Sequence, residues 1–193
     1  MTSAAAIPAA KAGRQPDLLS VGTVVWLASE LMFFAGLFAA YFTLRAQPGP
    51  WPPPGVDLDT VTATAATALL VVSSGTMQLG VRAVRGDDRV RYLWWLAISF
   101  VLGTVFVLIQ ARDWSRLQFS IGSHAYGSAF YVMTGVHGLH VIAGLLAMVV
   151  MAGRAFTRRF GAEHLPSAEM LSYYWHFVDV VWIGLWATIF FIR

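Results

Sequence analysis

Residues 173–186 read YYWHFVDVVWIGLW, and a histidine and an aspartate interrupt this otherwise apolar, aromatic run. His176 and Asp179 are three residues apart, so on a helix they share one face. An aspartate at the middle of a membrane-spanning helix costs about 2.5–3.5 kcal/mol on insertion scales, so its side chain is expected to face protein or water. The run therefore predicts a membrane helix with a buried polar pair on its protein-facing side.

The composition of the chain indicates a membrane protein. The 193 residues are 58% hydrophobic and 12% charged, whereas soluble domains are about 45–50% apolar and about 25% charged. The sequence has no cysteine, which excludes disulfides, thiolate metal sites and a catalytic thiol in it. The net charge of +3 does not indicate nucleic-acid binding, because in a membrane chain the position of the charges matters more than their sum.

Five apolar stretches are long enough to cross a bilayer, which takes about 20 residues as a helix. β-Strands are excluded as the main secondary structure. Backbone groups in lipid must form their hydrogen bonds within the protein, and the stretches lack the period of two that a membrane β-barrel would show. We predict an all-α polytopic membrane protein with one domain at 20–193, behind a flexible tail at 1–19. The first stretch is too long for a signal peptide, so it predicts a retained helix. The predicted transmembrane helices are residues 20–44, 60–81, 92–111, 125–153 and 170–192.

The distribution of Lys and Arg predicts the orientation in the membrane. Nine of these residues fall in the N-terminal tail, the second loop and the fourth loop, and four fall on the opposite side. We therefore expect the N-terminus in the cytoplasm and the C-terminus outside. The nine are Lys11, Arg14, Arg82, Arg85, Arg89, Arg91, Arg154, Arg158 and Arg159.

Glu30 and Asp179 are the only two of the ten acidic residues that lie well inside predicted spans. With a rise of about 1.5 Å per residue, both lie roughly 15 Å from the cytoplasmic side. A buried carboxyl at that depth is either a structural hydrogen-bonding group or a member of a proton relay. The sequence leaves both roles open.

Three histidines are also predicted inside the membrane. His137 and His140, in TGVHGLHVIAG, share one helix face, and His176 lies near Asp179. Haem binding is a rival role, but a haem with two histidine ligands needs them on facing helices at matched depth. A hydrogen bond between Asp179 and His176 would satisfy two buried groups at once, so we predict a polar pair that fixes the last helix.

The glycines and aromatic residues of the predicted spans are interpreted as packing residues. Glycines in a membrane span allow helices to approach closely, and aromatic rings near span ends are typical of the membrane interface. We predict close contacts at Gly36, Gly135, Gly138 and Gly144, and interfacial positions for Trp94, Trp95, Tyr173, Tyr174 and Trp175.

Four segments, in the same order as in the family, resemble subunit III of cytochrome c oxidase, a haem–copper oxidase. The resemblance extends over residues 20–193. The segments are SELMFFAGLFAAYF (29–42), WPPPG (51–55), AYGSAFYVMTGVHGLHVIAGL (125–145) and YYWHFVDVVWIGLW (173–186).

The resemblance implies a non-redox accessory subunit of a proton-pumping aa3-type oxidase in a bacterial cell membrane. Such a subunit packs beside subunit I, stabilises the complex and supports proton uptake, while the complex, and not this chain alone, is catalytic. Haem a, haem a3 and copper would lie in partner subunits I and II, and phospholipid is the ligand suggested for this chain. A small subunit IV and a cytochrome bc complex are further candidate partners, whereas nucleic acid is not. Glu30 matches the family's carbodiimide-reactive glutamate.

Two departures from the family pattern have consequences. The common form has seven helices and this chain lacks the first two, so the lipid cleft between them and the other five is missing or completed by a neighbour. The stretch QARDW (110–114) stands where the family usually has Gln-x-x-Glu-Tyr. Asp113 and Trp114 keep the acid and the ring but alter their reach. The five-helix form most resembles actinobacterial members.

Three alternatives remain at this point. One is the corresponding subunit of a quinol oxidase or of a nitric oxide reductase. Another is a stand-alone proton-coupled transporter that uses Glu30 and Asp179, although the sequence has no pair of Gly/Pro-interrupted spans in corresponding places. The third is a haem-binding membrane cytochrome.

Overall fold

The structure, a computed structural model, describes residues 18–157 and 161–192. Five of its helices are long and apolar enough to cross a membrane, which confirms the predicted number. Most of the predicted tail lies outside the described residues, as do Arg158 and Arg159 of the charge argument. The helices are α1 (Leu18–Arg45), α2 (Thr60–Arg85), α3 (Arg89–Arg116), α4 (Ala125–Thr157) and α5 (Leu165–Trp186).

Most of the helix ends lie beyond the predicted spans. Hydropathy marks the hydrocarbon layer, whereas backbone hydrogen bonding continues into the charged segments on either side. The second loop is thereby reduced to 86–88, between Arg85 and Arg89. A 3-10 turn at Ala162–His164 precedes α5, and a π-helical turn at Ala187–Phe191 continues it.

The early start of α5 corrects the prediction for two aromatic residues. The helix begins at Leu165, ahead of the predicted residue 170, with Pro166 in its first turn, where proline is favoured. Trp175 and Tyr174 therefore lie inside the bundle, with 0% and 7% of their surface exposed, and not at the membrane interface. Tyr173, on the other face, is exposed.

Side chains just before the helices explain where three of them begin. Asp59 accepts a hydrogen bond from the Thr62 backbone N–H at 3.0 Å and so caps α2. Asp88 caps α3 in the same way. At the start of α4, Nδ1 of His124 accepts from the Gly127 backbone N–H at 2.8 Å. Each cap satisfies a backbone N–H that has no partner inside its helix.

Contacts between loops define the two ends of the bundle. At one end, which we call the first-loop end, the ring of Trp51 lies edge-on to those of Tyr41 and Tyr126, at 5.3 and 5.2 Å between centroids. At the opposite end, which we call the arginine end, Arg85 forms a 2.7 Å ion pair with Glu169. There too, Arg89 donates to the Phe156 carbonyl at 3.1 Å.

The indole ring of Trp175 on α5 packs against α3 and α4 in the middle of the bundle. It lies between Gly103 of α3 and Gly144 of α4, where an added Cβ atom would stand 2.8 and 2.7 Å from the ring. The predicted close approach is confirmed at Gly144, and at Gly135, which faces the ring of Trp114. It is wrong for Gly36 and Gly138, where an added Cβ atom would meet nothing within 4 Å.

Candidate functional site

Glu30 on α1 and His140 on α4 form a carboxyl–imidazole pair across the seam between these helices. Oε2 of Glu30 lies 3.2 Å from Nε2 of His140. Nδ1 of the same ring lies 2.8 Å from the carbonyl oxygen of Val136. A carbonyl oxygen can only accept, so Nδ1 carries a hydrogen.

The tautomer of His140 fixes the proton count of the pair. With Nδ1 protonated, the contact between Nε2 and Oε2 requires one further proton. The pair is therefore either a neutral imidazole with a carboxylic acid or an imidazolium with a carboxylate. In both states it holds one movable proton and has no net charge.

Aromatic side chains hold this pair in place. The ring of Phe34 lies edge-on to the His140 ring at 5.0 Å, and the hydroxyl of Tyr174 donates to the His140 carbonyl at 2.8 Å. The Tyr174 ring in turn stacks on Trp26 of α1, at 5.3 Å and 8°. The His140 and Glu30 side chains are 19% and 24% exposed, so the pair can be reached from the surface of the bundle.

His176 and Asp179 meet through a serine of α2. The predicted bond was a direct one, but the structure places Ser74 between the two residues. The hydroxyl of Ser74 donates to Oδ2 of Asp179, and its oxygen lies 2.9 Å from Nδ1 of His176. A hydroxyl has one hydrogen, so Ser74 accepts from the His176 ring. The result is a serine-bridged unit that ties α5 to α2.

Polar residues of α2 are the part of the site that sequence reasoning missed. Besides Ser74, the oxygen of Ser73 accepts from the indole N–H of Trp175, and that of Thr67 from Trp182, both at 2.9 Å. The side-chain oxygen of Gln78 lies 3.4 Å from Nε2 of His176. Serine, threonine and glutamine in a membrane span tend to bond across helices, and this is the signal that could have found them.

His137 does not join His140, although the two are only three residues apart on α4. Its ring stacks on Trp182 at 4.9 Å and meets the edge of Phe106 at 5.9 Å. Only 1% of its surface is exposed. Neither ring nitrogen has a hydrogen-bond partner in the part of the chain that the structure describes.

Asp113 lies apart from both carboxyl–histidine units. It is half-buried near the first-loop end of α3, where it lines a cavity together with Asp59 and Arg116. The neighbouring Trp114 lies edge-on to Tyr131, at 5.2 Å between ring centroids.

Over residues 18–157 and 161–192, no group of three or more His, Cys, Asp or Glu side chains is placed to hold a metal ion. What the two carboxyl–histidine units can do chemically is accept, hold and release a proton.

The fold and these units define a multi-pass membrane protein with hydrogen-bonded carboxyl and histidine groups inside its bundle. The family model of cytochrome c oxidase subunit III matches residues 9–193. The chain belongs to this family.

Its relatives are similar to it in sequence along almost the whole chain. A Nocardia farcinica protein named "Probable cytochrome c oxidase subunit 3" is 49% identical over 183 residues, which cover 93% of this chain and 90% of that protein. A Mycobacterium tuberculosis protein with the same name is 48% identical, with the same coverage. "Cytochrome c oxidase subunit 3" of Corynebacterium diphtheriae is 44% identical over 185 residues, 93% of this chain and 90% of that protein.

These findings confirm the resemblance to the family and to its actinobacterial members. The chain is a multi-pass membrane subunit of a bacterial respiratory oxidase, and other oxidase subunits are its partners. It is therefore not a transporter that works without partners.

Proposed function

We propose that this chain is the non-redox subunit III of a proton-pumping aa3-type cytochrome c oxidase, where it stabilises the complex and supports proton uptake beside subunit I. The observation that carries the proposal is the pair formed by Glu30 and His140. It holds one movable proton and can be reached from the surface of the bundle.

The charge balance of this pair suits a proton-uptake role inside a membrane. Moving the proton between Oε2 of Glu30 and Nε2 of His140 changes the local dipole but leaves the net charge at zero. An isolated charge in a medium of low dielectric constant is costly, so a neutral pair can hold a proton there at a lower cost. A proton that arrives from a neighbouring subunit would be held at this seam before it is passed on.

The surface of α1 offers a place for subunit I. Val24, Val25 and Met32 are 64%, 65% and 77% exposed, on the helix that carries Glu30. Docking here would cover apolar surface on the helix that carries Glu30.

The remaining features of the proposal concern the surroundings of the chain. Haem a, haem a3 and copper would be held by subunits I and II. A neighbouring chain or phospholipid would cover exposed apolar surface of the bundle, and a small subunit IV and a cytochrome bc complex are further candidate partners. The arginine end would face the cytoplasm, together with the N-terminus, in agreement with the distribution of basic residues.

The experiment that tests this function is affinity purification of the chain from native membranes in mild detergent, followed by a reduced-minus-oxidised spectrum. We expect haem a absorption together with a subunit II that binds copper. Haem b or haem o without that subunit would move the chain to a quinol or nitric oxide system. A colourless preparation without partners would contradict the proposal.

A further inference from the structure

A cavity of about 180 Å³ opens at the first-loop end between α2, α3, α4 and α5. Asp57, Asp59 and Arg116 lie around its mouth, and Thr134 and Trp182 lie at its inner end. Both inner residues are nine positions from the ends of their helical segments, or roughly 13 Å at about 1.5 Å per residue. Between mouth and inner end, the side chains of Asp113 and Gln110 line the α3 wall. Polar groups therefore follow the cavity inward.

His137 adjoins this cavity through Trp182, which lines it. It follows Thr134 by one turn on the same face of α4, and its ring stacks on Trp182. On the α3 side, Phe106 is one helical turn deeper in the bundle than Gln110, and its ring is edge-on to the His137 ring. Of the two rings that contact the imidazole, that of Trp182 thus lines the cavity.

The ring nitrogens of His137 require a polar partner. The side chain is almost completely buried, and neither nitrogen is hydrogen-bonded within the described residues. A buried polar group without a partner is costly, and buried water often supplies the missing bonds. A cavity needs only about 10–15 Å³ of probe-occupied volume for one water molecule, so this one can hold several.

We propose that the cavity is a binding site for a chain of water molecules that reaches the ring nitrogens of His137. The histidine thereby exchanges protons with the aqueous phase at the first-loop end. Asp57, Asp59 and Asp113 outnumber Arg116 around the cavity and favour cations over anions. His140, one turn further along α4, is the next titratable group beyond His137. This site is separate from the pair formed by Glu30 and His140, and its test does not depend on that pair.

Hydroxyl-radical footprinting of the purified oxidase that contains this chain tests for the water. X-rays generate the radicals from water in place, so a buried ring is oxidised only where water lies beside it. Trp182 and Trp175 form a matched pair, because both are buried and each donates its indole N–H to a hydroxyl of α2. We expect Trp182 to be oxidised several-fold faster than Trp175. Equal rates would overturn the proposal.

A cavity-filling substitution tests whether water reaches His137 by this route. Ala66 lines the cavity, whereas Ala68 lies on the exposed face of the same helix, so Ala66→Leu and Ala68→Leu differ only in where the added atoms go. The readout is deuterium exchange at the Cε1 position of His137, measured by mass spectrometry. We expect Ala66→Leu to slow this exchange several-fold and Ala68→Leu to leave it unchanged.

A second variant keeps the test decisive if Ala66→Leu prevents assembly. Thr134→Val removes one hydroxyl from the inner wall with little change in volume, and we expect it too to slow exchange at His137. Exchange at the wild-type rate in Thr134→Val and Ala66→Leu, or no exchange at His137 in the wild type, would overturn the proposal.

Discussion

Gly144 of α4 lies against the indole ring of Trp175 of α5, and no side chain fits between them. An added Cβ atom would stand 2.7 Å from Cζ3 of the ring and 3.2 Å from Cε1 of Tyr174. Trp175 is also held by Ser73 of α2 through its indole N–H, and its other side faces Gly103 of α3. One side chain thus sets the spacing of four helices.

Gly144→Ala is expected to destabilise the bundle, because the added methyl group collides with a ring that is packed on all sides. Overpacking of this kind typically costs about 1–3 kcal/mol. The measurement is the thermal dissociation of this subunit from the purified oxidase in mild detergent. Gly138→Ala is the control, since an added Cβ atom there meets nothing within 4 Å. The same dissociation temperature in both variants would contradict the prediction.

Thr67→Val should weaken the contact between α2 and α5. The substitution keeps the shape of the side chain but removes the oxygen that accepts from the Trp182 indole N–H at 2.9 Å. A buried donor left without its acceptor costs about 1–3 kcal/mol. Thr67→Ser keeps the hydroxyl and should stay near the wild type in the same thermal assay. A dissociation temperature of Thr67→Val equal to that of the wild type would contradict the prediction.

Asp179→Ala should lower the amount of this subunit that stays with the oxidase in mild detergent. Oδ2 of Asp179 accepts from the Ser74 hydroxyl, so removal of this side chain breaks the bridge between α2 and α5. Asp179→Asn keeps an acceptor oxygen and should be retained better than Asp179→Ala. Quantitative mass spectrometry of the purified complex measures the ratio of subunits. Normal retention of Asp179→Ala would rule out a role for this bridge in assembly.

Glu30→Gln should leave assembly largely intact, because the amide keeps the shape of the carboxyl group. The variant cannot take up the proton that Glu30 shares with His140, so proton uptake should slow, or the turnover lifetime of the oxidase should shorten, as the pH rises. Oxygen consumption followed to inactivation over a range of pH values measures both effects. Unchanged rates and lifetimes across that range would remove Glu30 from any proton role.

Acid should loosen the first turn of α2. The Thr62 hydroxyl and the Thr62 backbone N–H both donate to Asp59, and they hold the pKa of this carboxyl below its usual value of 3.8. The cap therefore contributes its stabilisation above pH 3.8 and loses it as the pH falls through the lower pKa of the folded state. The protection factor of the Thr62 amide against hydrogen exchange should fall over that interval. In Asp59→Asn, which does not titrate, this fall should be absent.

The sequence predicts the helices well because one physical quantity determines them. The thickness of the hydrocarbon layer sets the length of an apolar span, so the number and the order of the spans follow from hydropathy. The ends are less well determined: α5 begins five residues before the predicted position 170, which moves Tyr174 and Trp175 from the interface into the core. A helix end depends on caps and turn residues outside the apolar run.

The partners of the buried polar residues could not be predicted from the sequence. The sequence indicates that Glu30 and Asp179 need polar neighbours, but the identity of each neighbour depends on how the helices rotate and pack. His140 is 110 positions from Glu30 in the chain, and Ser74 is 105 from Asp179. A spacing of three residues suggested a direct bond between His176 and Asp179, and the position of α2 made a serine bridge instead. The two histidines of α4 have different partners for the same reason. His140 lies next to Glu30 of α1, whereas the ring of His137 stacks on Trp182 of α5.

The central position of α5 has a consequence for biosynthesis. It is the last of the five helices to leave the ribosome, and half of its span is buried. Before it arrives, Thr67, Ser73 and Ser74 of α2 have no α5 groups to bond, and the glycines of α3 and α4 face an open space. The first four helices are therefore synthesised before the core of the bundle can form. A stop codon or frameshift late in the gene would remove the core of this protein and not its edge.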